Sequence, residues 1–417
     1  MSTEKRNTTA KLSIMMFLEF FIWGAWFVTI GVYLRQGVKF EAGLGTAYSV
    51  GPIAAIISPL FLGLFADRFL PTQIVLGICH LLGAVLILFV PWAVAHDLDG
   101  GGSAFFWVLI AYMLLYMPTL GLTNTVAMRS IESPEKQFPV IRVFGTIGWI
   151  AAGFLVGTVL KADATDLPFK VAAGASVVLG VFSFFLPHTP PPLKGKKISA
   201  AEALGLGALG MLRDWKFLVF AIASLLICIP LQAYYAYAAT FITDAGFESA
   251  GGTMIWGQIS EIGFMLVIPL LFRKLGVKWM LAIGMACWVL RYALFAVGAP
   301  ESMLWMIMLG ILLHGICYDF FFVTGQIYTD QKAPAEIRGQ AQGLLVVLTQ
   351  GVGMYLGAKL NNYFFVGKVG TPSKSLEEGT SVLTLWSDFW WIPAAIAGGI
   401  LLGFIILFKG DKDHQEA

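Results

Sequence analysis

Continuous apolar runs of roughly twenty residues recur along this chain, and each is long enough to cross the ~30 Å hydrocarbon core of a bilayer as an α-helix. Hydrophobic residues make up 58% of the 417 residues and charged residues only 12%, whereas about a quarter of the residues in a typical soluble domain are charged. Backbone groups in lipid must be hydrogen-bonded within helices or closed barrels, and barrel strands would appear as short segments of alternating polarity. The sequence therefore predicts an all-α integral membrane protein.

These runs predict twelve transmembrane helices. They cover residues 12–34, 46–66, 72–95, 103–124, 140–160, 168–187, 216–243, 250–271, 278–298, 303–327, 338–358 and 384–408. Most of the 27 Lys and Arg residues then lie on the side of the two chain ends, and basic residues favour the cytoplasmic side of a membrane. We therefore expect both termini to be cytoplasmic. Because the basic residues are scattered over short loops, we expect no binding to nucleic acid.

The longest cytoplasmic connection separates the predicted helices into two sets of six. It covers residues 188–215 and contains three consecutive prolines and a basic stretch. We predict an N-terminal six-helix bundle over 1–187, a cytoplasmic linker over 188–215 and a C-terminal six-helix bundle over 216–417. Repeats of six helices are a recognised architecture of membrane transporters, which bind their substrate near the middle of the membrane.

The connection between the second and third predicted helices carries the pattern G-x-x-x-D-R, which begins at Gly63 and ends with Asp67 and Arg68. This segment resembles the signature loop of the major facilitator superfamily. The resemblance implies that the Asp and Arg belong to a charge network that holds the cytoplasmic side in one state, so Asp67 and Arg68 are candidate gating residues. The alternative is a loop pair that serves topology alone.

Charged side chains inside the predicted helices are candidate functional residues, because each costs at least ~2.5–3.5 kcal/mol in the centre of a bilayer. Glu261 lies near the middle of its predicted helix, with Gln258 one turn earlier on the same face. Because desolvation disfavours the charged form of a carboxyl group, Glu261 is a candidate for loading and releasing a proton. The alternative is a static ion pair between helices.

A second acid, Asp319, stands between Tyr318 and Phe320. An acid flanked by aromatic rings is suited to a wet cavity in which the rings stack on a planar ligand. The alternative is a structural polar contact between helices. Arg291 is expected to belong to a structural pair.

Arg142, Thr146 and Trp149 are spaced so that a charge, a hydroxyl group and a ring share one helical face. The alternative for Arg142 is an extended side chain that reaches the membrane interface. Gln232 places an amide two residues after Pro230, which distorts its helix.

Glu19 shares a stripe with Trp23 and Trp26 on the first predicted helix. His80 and His314 are expected as buried structural imidazoles rather than proton relays. The sequence contains no metal-ligand spacing, nucleotide-binding loop or nucleophile motif, so we expect no metal, no cofactor and no enzymatic activity. Transport would then be driven by an ion gradient or by the substrate's own gradient.

Six segments resemble the bacterial nucleoside:proton symporter family of the major facilitator superfamily. They are FLEFFIWGAW (17–26), YMPTLGLTNT (116–125), FPVIRVFGTIG (138–148), QISE (258–261), WVLRYALFA (288–296) and YDFF (318–321). The resemblance covers essentially all predicted helices and implies proton-coupled uptake of nucleosides across the bacterial inner membrane by alternating access.

The resemblance also implies a substrate site. It surrounds the nucleoside with Arg142, Thr146, Gln232, Gln258, Glu261 and Asp319, and stacks the base on the rings of Trp149 and Tyr318. Our hypothesis is that Glu261 or Asp319 must be protonated before the loaded carrier reorients. Tyr235 departs from the family pattern, in which this position is usually Asn, and a phenol in place of an amide could shift the preference for base or sugar.

Two other functions fit the same sequence. A proton-coupled porter of sugars or other neutral solutes would use the same acids and amides with fewer stacking rings. A sensor would bind nucleosides without carrying them. The expected partners of the carrier are a nucleoside, protons and the lipid bilayer, and the expected state is a monomer.

Overall fold

The computed structural model describes residues 3–27, 29–40, 43–100, 102–191, 206–247, 250–369 and 381–409, and within these ranges it leaves the side chains of 3–6, 35–36, 44–45, 58–67, 206, 250–252 and 366 undescribed. Helices account for most of these residues, and no strand occurs among them. The α-helices are α1 (Thr3–Phe27), α2 (Ile30–Val32), α3 (Gly43–Arg68), α4 (Thr72–Leu88), α5 (Val90–Leu98), α6 (Ala104–Tyr116), α7 (Thr119–Arg129), α8 (Pro134–Gly153), α9 (Leu167–Ser183), α10 (Trp215–Asp244), α11 (Ala250–Gly298), α12 (Leu304–Leu312), α13 (His314–Tyr318), α14 (Thr324–Lys332), α15 (Arg338–Val346), α16 (Met354–Lys368) and α17 (Val382–Leu407).

Nine helical segments in the described part of the chain are long and apolar enough to cross a membrane. One of them, Thr253–Gly298, has 46 residues and breaks at Gly276, where φ is +66°, a conformation that glycine adopts without strain. This segment therefore holds two membrane-spanning helices. Two shorter apolar helices, Thr46–Ile57 and Leu167–Ser183, bring the number to twelve. The predicted all-α fold of twelve transmembrane helices is confirmed.

Several membrane-spanning segments are not continuous α-helices. Wider π-helical turns occupy Phe154–Val159, Asp319–Val323 and Val347–Gly353. Proline interrupts the hydrogen-bond ladder of α10 at Pro230, whose carbonyl group accepts a hydrogen bond of 2.6 Å from the Tyr292 hydroxyl group. Such local distortions often mark functional sites, because they free backbone groups and re-aim side chains.

The helices form two compact units. Unit 1 contains Met1–Met211 and Thr329–Gly351, and unit 2 contains Leu212–Tyr328 and Val352–Ala417. The core of unit 1 includes Trp26, whose ring meets the Tyr112 ring edge-on at 5.6 Å. The core of unit 2 includes Trp390, which stacks on Tyr292 at 5.7 Å. Buried rings of this size supply much of the packing within each unit.

The predicted division into two six-helix bundles stays a prediction. Residues 192–205 of the predicted linker lie outside the described part of the chain. On its C-terminal side, the chain continues through a 3-10 helix at Leu206–Arg213. Helix α10 then begins at Trp215, where the Asp214 side chain accepts a hydrogen bond of 2.8 Å from the Lys216 backbone amide and thereby caps the helix.

Candidate functional site

A buried acid and an imidazole face each other in unit 2. Glu261 of α11 exposes only 6% of its surface, and its Oε2 lies 3.8 Å from Nε2 of His314. The two helices approach closely here because residue 315 is glycine: a Cβ atom at Gly315 would lie 2.6 Å from the Glu261 backbone nitrogen. The packing of α13 on α11 thus brings His314 to the predicted proton-coupling residue.

Arg291 extends this pair into a chain of three residues. It is fully buried, its Nη2 lies 3.0 Å from His314 Nδ1, and its Nε donates to the Gly310 carbonyl oxygen at 3.1 Å. A guanidinium group has only donors, so Nδ1 must accept this hydrogen bond and the ring is neutral. The ring proton then sits on Nε2, the nitrogen that faces Glu261. His314 therefore separates a fixed positive charge from the Glu261 carboxyl group.

Aromatic rings surround this chain. The Arg291 guanidinium carbon lies 4.4 Å from the centre of the Tyr234 ring, a distance typical of a cation–π contact. The His314 ring stacks on Tyr234 at 5.3 Å and on Tyr318 at 5.7 Å. Tyr318, predicted to stack on a base, is half-buried. The structure thus brings Tyr318 and Glu261 to the same imidazole.

The other predicted residues of unit 2 lie on the same helices. Asp319 is fully buried and begins the π-helical turn Asp319–Val323. Gln258 is half-buried, three residues before Glu261 on α11, and Gln232 is half-buried on α10 after the proline. Tyr235 exposes 47% of its surface and interacts electrostatically with Tyr318 and Glu261. Its ring also lies 6.0 Å from the ring of Tyr234, on which His314 stacks, so the residue that departs from the family pattern belongs to the same group of aromatic rings.

The predicted stripe of α8 is present in unit 1. Arg142 is buried, with 3% of its surface exposed, and its guanidinium carbon lies 3.9 Å from the centre of the Phe20 ring. Its Nη1 has no hydrogen-bond partner among the described residues. Thr146 is buried one turn later, and the half-buried Trp149 meets the Trp23 ring edge-on at 5.6 Å. Arg142 thus packs against α1 and does not extend outward.

A second buried acid–imidazole pair lies in unit 1 and was not predicted as a site. Glu19 is fully buried, and its Oε2 lies 2.9 Å from His80 Nε2. Its Oε1 accepts a hydrogen bond of 2.6 Å from the Thr119 hydroxyl group. On the far side of the ring, His80 Nδ1 lies 3.3 Å from Ser176 Oγ. The signals in the sequence were an acid and a histidine inside apolar runs, but nothing in the sequence pairs them.

The predicted gating residues stand at the end of α3. The guanidinium carbon of Arg68 lies 5.1 Å from the centre of the Phe69 ring, and the side chain of Asp67 lies outside the described residues. A charge pair that the sequence analysis missed joins Asp330 and Arg338 in unit 1, with Oδ2 and Nη1 3.8 Å apart. Among the described residues, no cluster of His, Cys, Asp and Glu could hold a metal ion.

The membrane-spanning helices adopt the fold of the major facilitator superfamily. The structure resembles that of the proton:xylose symporter XylE of this superfamily, with a TM-score of 0.69 and 13% identity over 97% of each chain. It also resembles the crystal structure of the nucleoside transporter NupG, with a TM-score of 0.69 and 29% identity over 97% of this chain and all of that one.

The sequence comparisons identify the family. The family model described as "Nucleoside H+ symporter" matches residues 6–413, so the chain belongs to the nucleoside H+ symporter family. It is 42% identical to YegT of Escherichia coli (strain K12), over 98% of this chain and 95% of that protein. It is 31% identical to the nucleoside permease NupG of the same organism, over 97% of this chain and 96% of that protein.

Proposed function

We propose that this chain carries nucleosides together with protons across the bacterial inner membrane by alternating access. One observation carries the proposal beyond family membership. In unit 2, the buried carboxyl group of Glu261 faces a neutral imidazole, and the Tyr318 ring stacks on that same imidazole. A group that can bind a proton and a ring that can stack on a base thus meet within one cluster.

Nucleoside chemistry matches the side chains of the proposed site. A nucleoside has a flat base, which stacks on aromatic rings, and ribose hydroxyl groups, which donate to carboxylate and amide oxygens. Because a nucleoside is neutral, no acid of the site has to balance a charge on it. An acid of the site can therefore bind a proton instead. The proposed nucleoside-binding residues are Arg142, Thr146, Trp149, Gln232, Gln258, Glu261, Tyr318 and Asp319.

Proton coupling is proposed for Glu261 and Asp319. One proton that moves down a potential of ~150 mV releases ~3.5 kcal/mol, enough for about 300-fold accumulation of a neutral solute. A single protonatable acid therefore suffices, provided that the loaded carrier reorients only when this acid is protonated. The proposal needs no cofactor. It includes a monomeric carrier with both termini in the cytoplasm, and a gating role for Asp67 and Arg68.

The decisive test is uptake of labelled uridine and adenosine into vesicles that contain the purified protein, under an imposed pH gradient. We expect accumulation that a protonophore abolishes. Glu261→Gln or Asp319→Asn should reduce the accumulation ratio to about one while nucleoside exchange continues. Asp166→Asn is the matched control, because this acid pairs with Lys170 on the surface at 2.8 Å, and it should accumulate nucleoside as the unchanged protein does.

Each negative outcome has a distinct meaning. If folded protein moves no nucleoside, the substrate assignment is wrong, and competition by sugars becomes the next measurement. If nucleoside moves but the protonophore has no effect, the proton coupling is wrong. If binding is present without any flux, the protein is a sensor.

A further inference from the structure

The proposed function makes no use of the buried Glu19–His80 pair of unit 1. Its members come from α1 and α4, and the neighbouring hydroxyl groups come from Thr119 on α7 and Ser176 on α9. The Tyr116 hydroxyl group also donates to the Glu19 carbonyl oxygen at 2.7 Å. Four transmembrane segments thus converge on the pair, whose carboxyl group is fully buried. An ionisable group inside the membrane carries a free-energy cost and commonly marks a functional site.

The pair can hold one exchangeable proton. With this proton bound, the pair is neutral overall, either as two neutral groups or as an ion pair, and the proton lies between Oε2 and Nε2. When the proton leaves, a carboxylate remains beside a neutral imidazole, and the net charge is −1. The Thr119 hydroxyl group, which also lies 2.5 Å from the Tyr116 carbonyl oxygen, can donate to Glu19 Oε1 in either state. Ser176 can donate to or accept from the imidazole. The surroundings therefore satisfy both states.

The described part of the chain places further titratable and charged groups around the pair. Cys79 of α4 and both Tyr112 and Tyr116 of α6 interact electrostatically with Glu19. Arg142 of α8 interacts electrostatically with Tyr116 and packs on Phe20, the residue after Glu19. From α7 and α9 the groups that face the pair are hydroxyls. Among the described residues with which these groups interact, the permanently charged one is Arg142, which is also a proposed nucleoside-binding residue.

We propose that Glu19 and His80 form a second proton-binding site, whose proton controls whether Arg142 is available to the nucleoside. When the pair is deprotonated, its negative charge attracts the guanidinium group and holds it against α1. When the pair is protonated, this attraction is lost, and Arg142 can bind the solute. Proton and nucleoside then bind cooperatively, and by thermodynamic linkage each strengthens the other. This inference rests on the proposed nucleoside–proton symport.

The test measures the protons that purified protein takes up when uridine binds, with a pH indicator in weakly buffered detergent solution, and the dissociation constant of uridine as a function of pH. We expect the affinity of the unchanged protein to rise as the pH falls, by about tenfold per pH unit for each linked proton. Glu19→Gln mimics the protonated pair. It should take up about one proton fewer, and its affinity for uridine should fall less steeply as the pH rises than that of the unchanged protein, by about tenfold less per pH unit.

The outcomes separate the two proposals. If the unchanged protein binds no nucleoside, the proposed function fails. If it binds uridine without proton uptake, the coupling fails and the second site with it. If Glu19→Gln takes up as many protons as the unchanged protein, only the second site is wrong. If Glu19→Gln does not fold, His80→Gln decides: a changed pH profile of uridine binding is expected, and an unchanged profile overturns the inference.

Discussion

Each unit buries a glutamate beside a histidine, but the two pairs are built differently. In unit 1, Glu19 and His80 are 2.9 Å apart and share a direct hydrogen bond. In unit 2, Glu261 and His314 are 3.8 Å apart, beyond hydrogen-bond distance. The far nitrogen of His80 faces a serine hydroxyl group, whereas the far nitrogen of His314 faces the guanidinium group of Arg291.

This difference decides which residue of each pair can change its charge. A hydroxyl group can donate or accept, so His80 can be neutral or protonated. A guanidinium group only donates, so His314 stays neutral while Arg291 is in place, and a change of charge must fall on Glu261. In unit 1, Glu19 and His80 can therefore share a proton. In unit 2, the proton can bind only to Glu261 while Arg291 is in place.

The largest expected effect comes from removal of the positive end of the unit 2 chain. Arg291→Met leaves the Gly310 carbonyl group and His314 Nδ1 without their donor, and loss of one member of a buried charged network costs about 3–5 kcal/mol. We expect a loss of unfolding free energy of this order, measured by denaturant titration in detergent. Lys359→Met is the control in the same unit, because Lys359 is exposed and lies 5.8 Å from the Tyr355 ring. Equal losses of unfolding free energy in both variants would show that Arg291 does not stabilise the series Arg291–His314–Glu261.

The comparison of the two histidines is sharpened by the same substitution in each. His314→Gln replaces a neutral ring by a neutral amide, so the pH profile of uridine uptake should keep its shape. His80→Gln removes a ring that can be protonated, so the profile should shift, with about a tenfold change in gradient-driven uptake at the extremes of pH. Uptake over a series of external pH values measures both. A shift with His314→Gln alone would reverse the assignment of the two pairs.

Each arginine also packs on one aromatic ring, and loss of a cation–π contact costs about 1 kcal/mol. Phe20→Leu should weaken the contact that holds Arg142 against α1, and because this frees Arg142 for the solute, it should lower the KM for uridine about fivefold. Tyr234→Leu should lower the unfolding free energy by a similar amount and leave the KM unchanged, because Arg291 is a structural residue. Uptake kinetics and denaturant titration of both variants check this contrast. The contrast is wrong if both substitutions change the KM and the unfolding free energy in the same way.

The smallest expected effect concerns two serines of α9. Ser176→Ala removes the hydroxyl group beside His80 and should change the pH profile of uptake, at a cost of about 1 kcal/mol in stability. Ser183→Ala removes a buried hydroxyl group that donates only to the Leu179 carbonyl oxygen of its own helix, at 2.7 Å. The stability cost should be similar in both variants. A change in the pH profile is expected only for Ser176→Ala, and the same profile in both would remove Ser176 from the proton site.

The apolar runs predicted the membrane-spanning helices because the transfer of a helix into lipid depends on its own side chains and backbone, which are local properties. The sequence also placed Glu261, Asp319 and Arg142 inside these helices, and the structure buries all three. The break at Gly276 lies in the predicted connection between two helices. The family was also predicted from the sequence, because the six segments that resemble it can be compared residue by residue without a structure.

The partners of the buried charges could not be read from the sequence. Glu19 and His80 are 61 residues apart, and Arg291 and His314 are 23 residues apart, so no helical period links them. Which side chains meet depends on the rotation and close approach of whole helices, as where Gly315 lets α13 contact α11. The sequence determined which groups enter the membrane, because burial in lipid is decided helix by helix. The tertiary structure alone decided which of them share a hydrogen bond, because that depends on distances between helices.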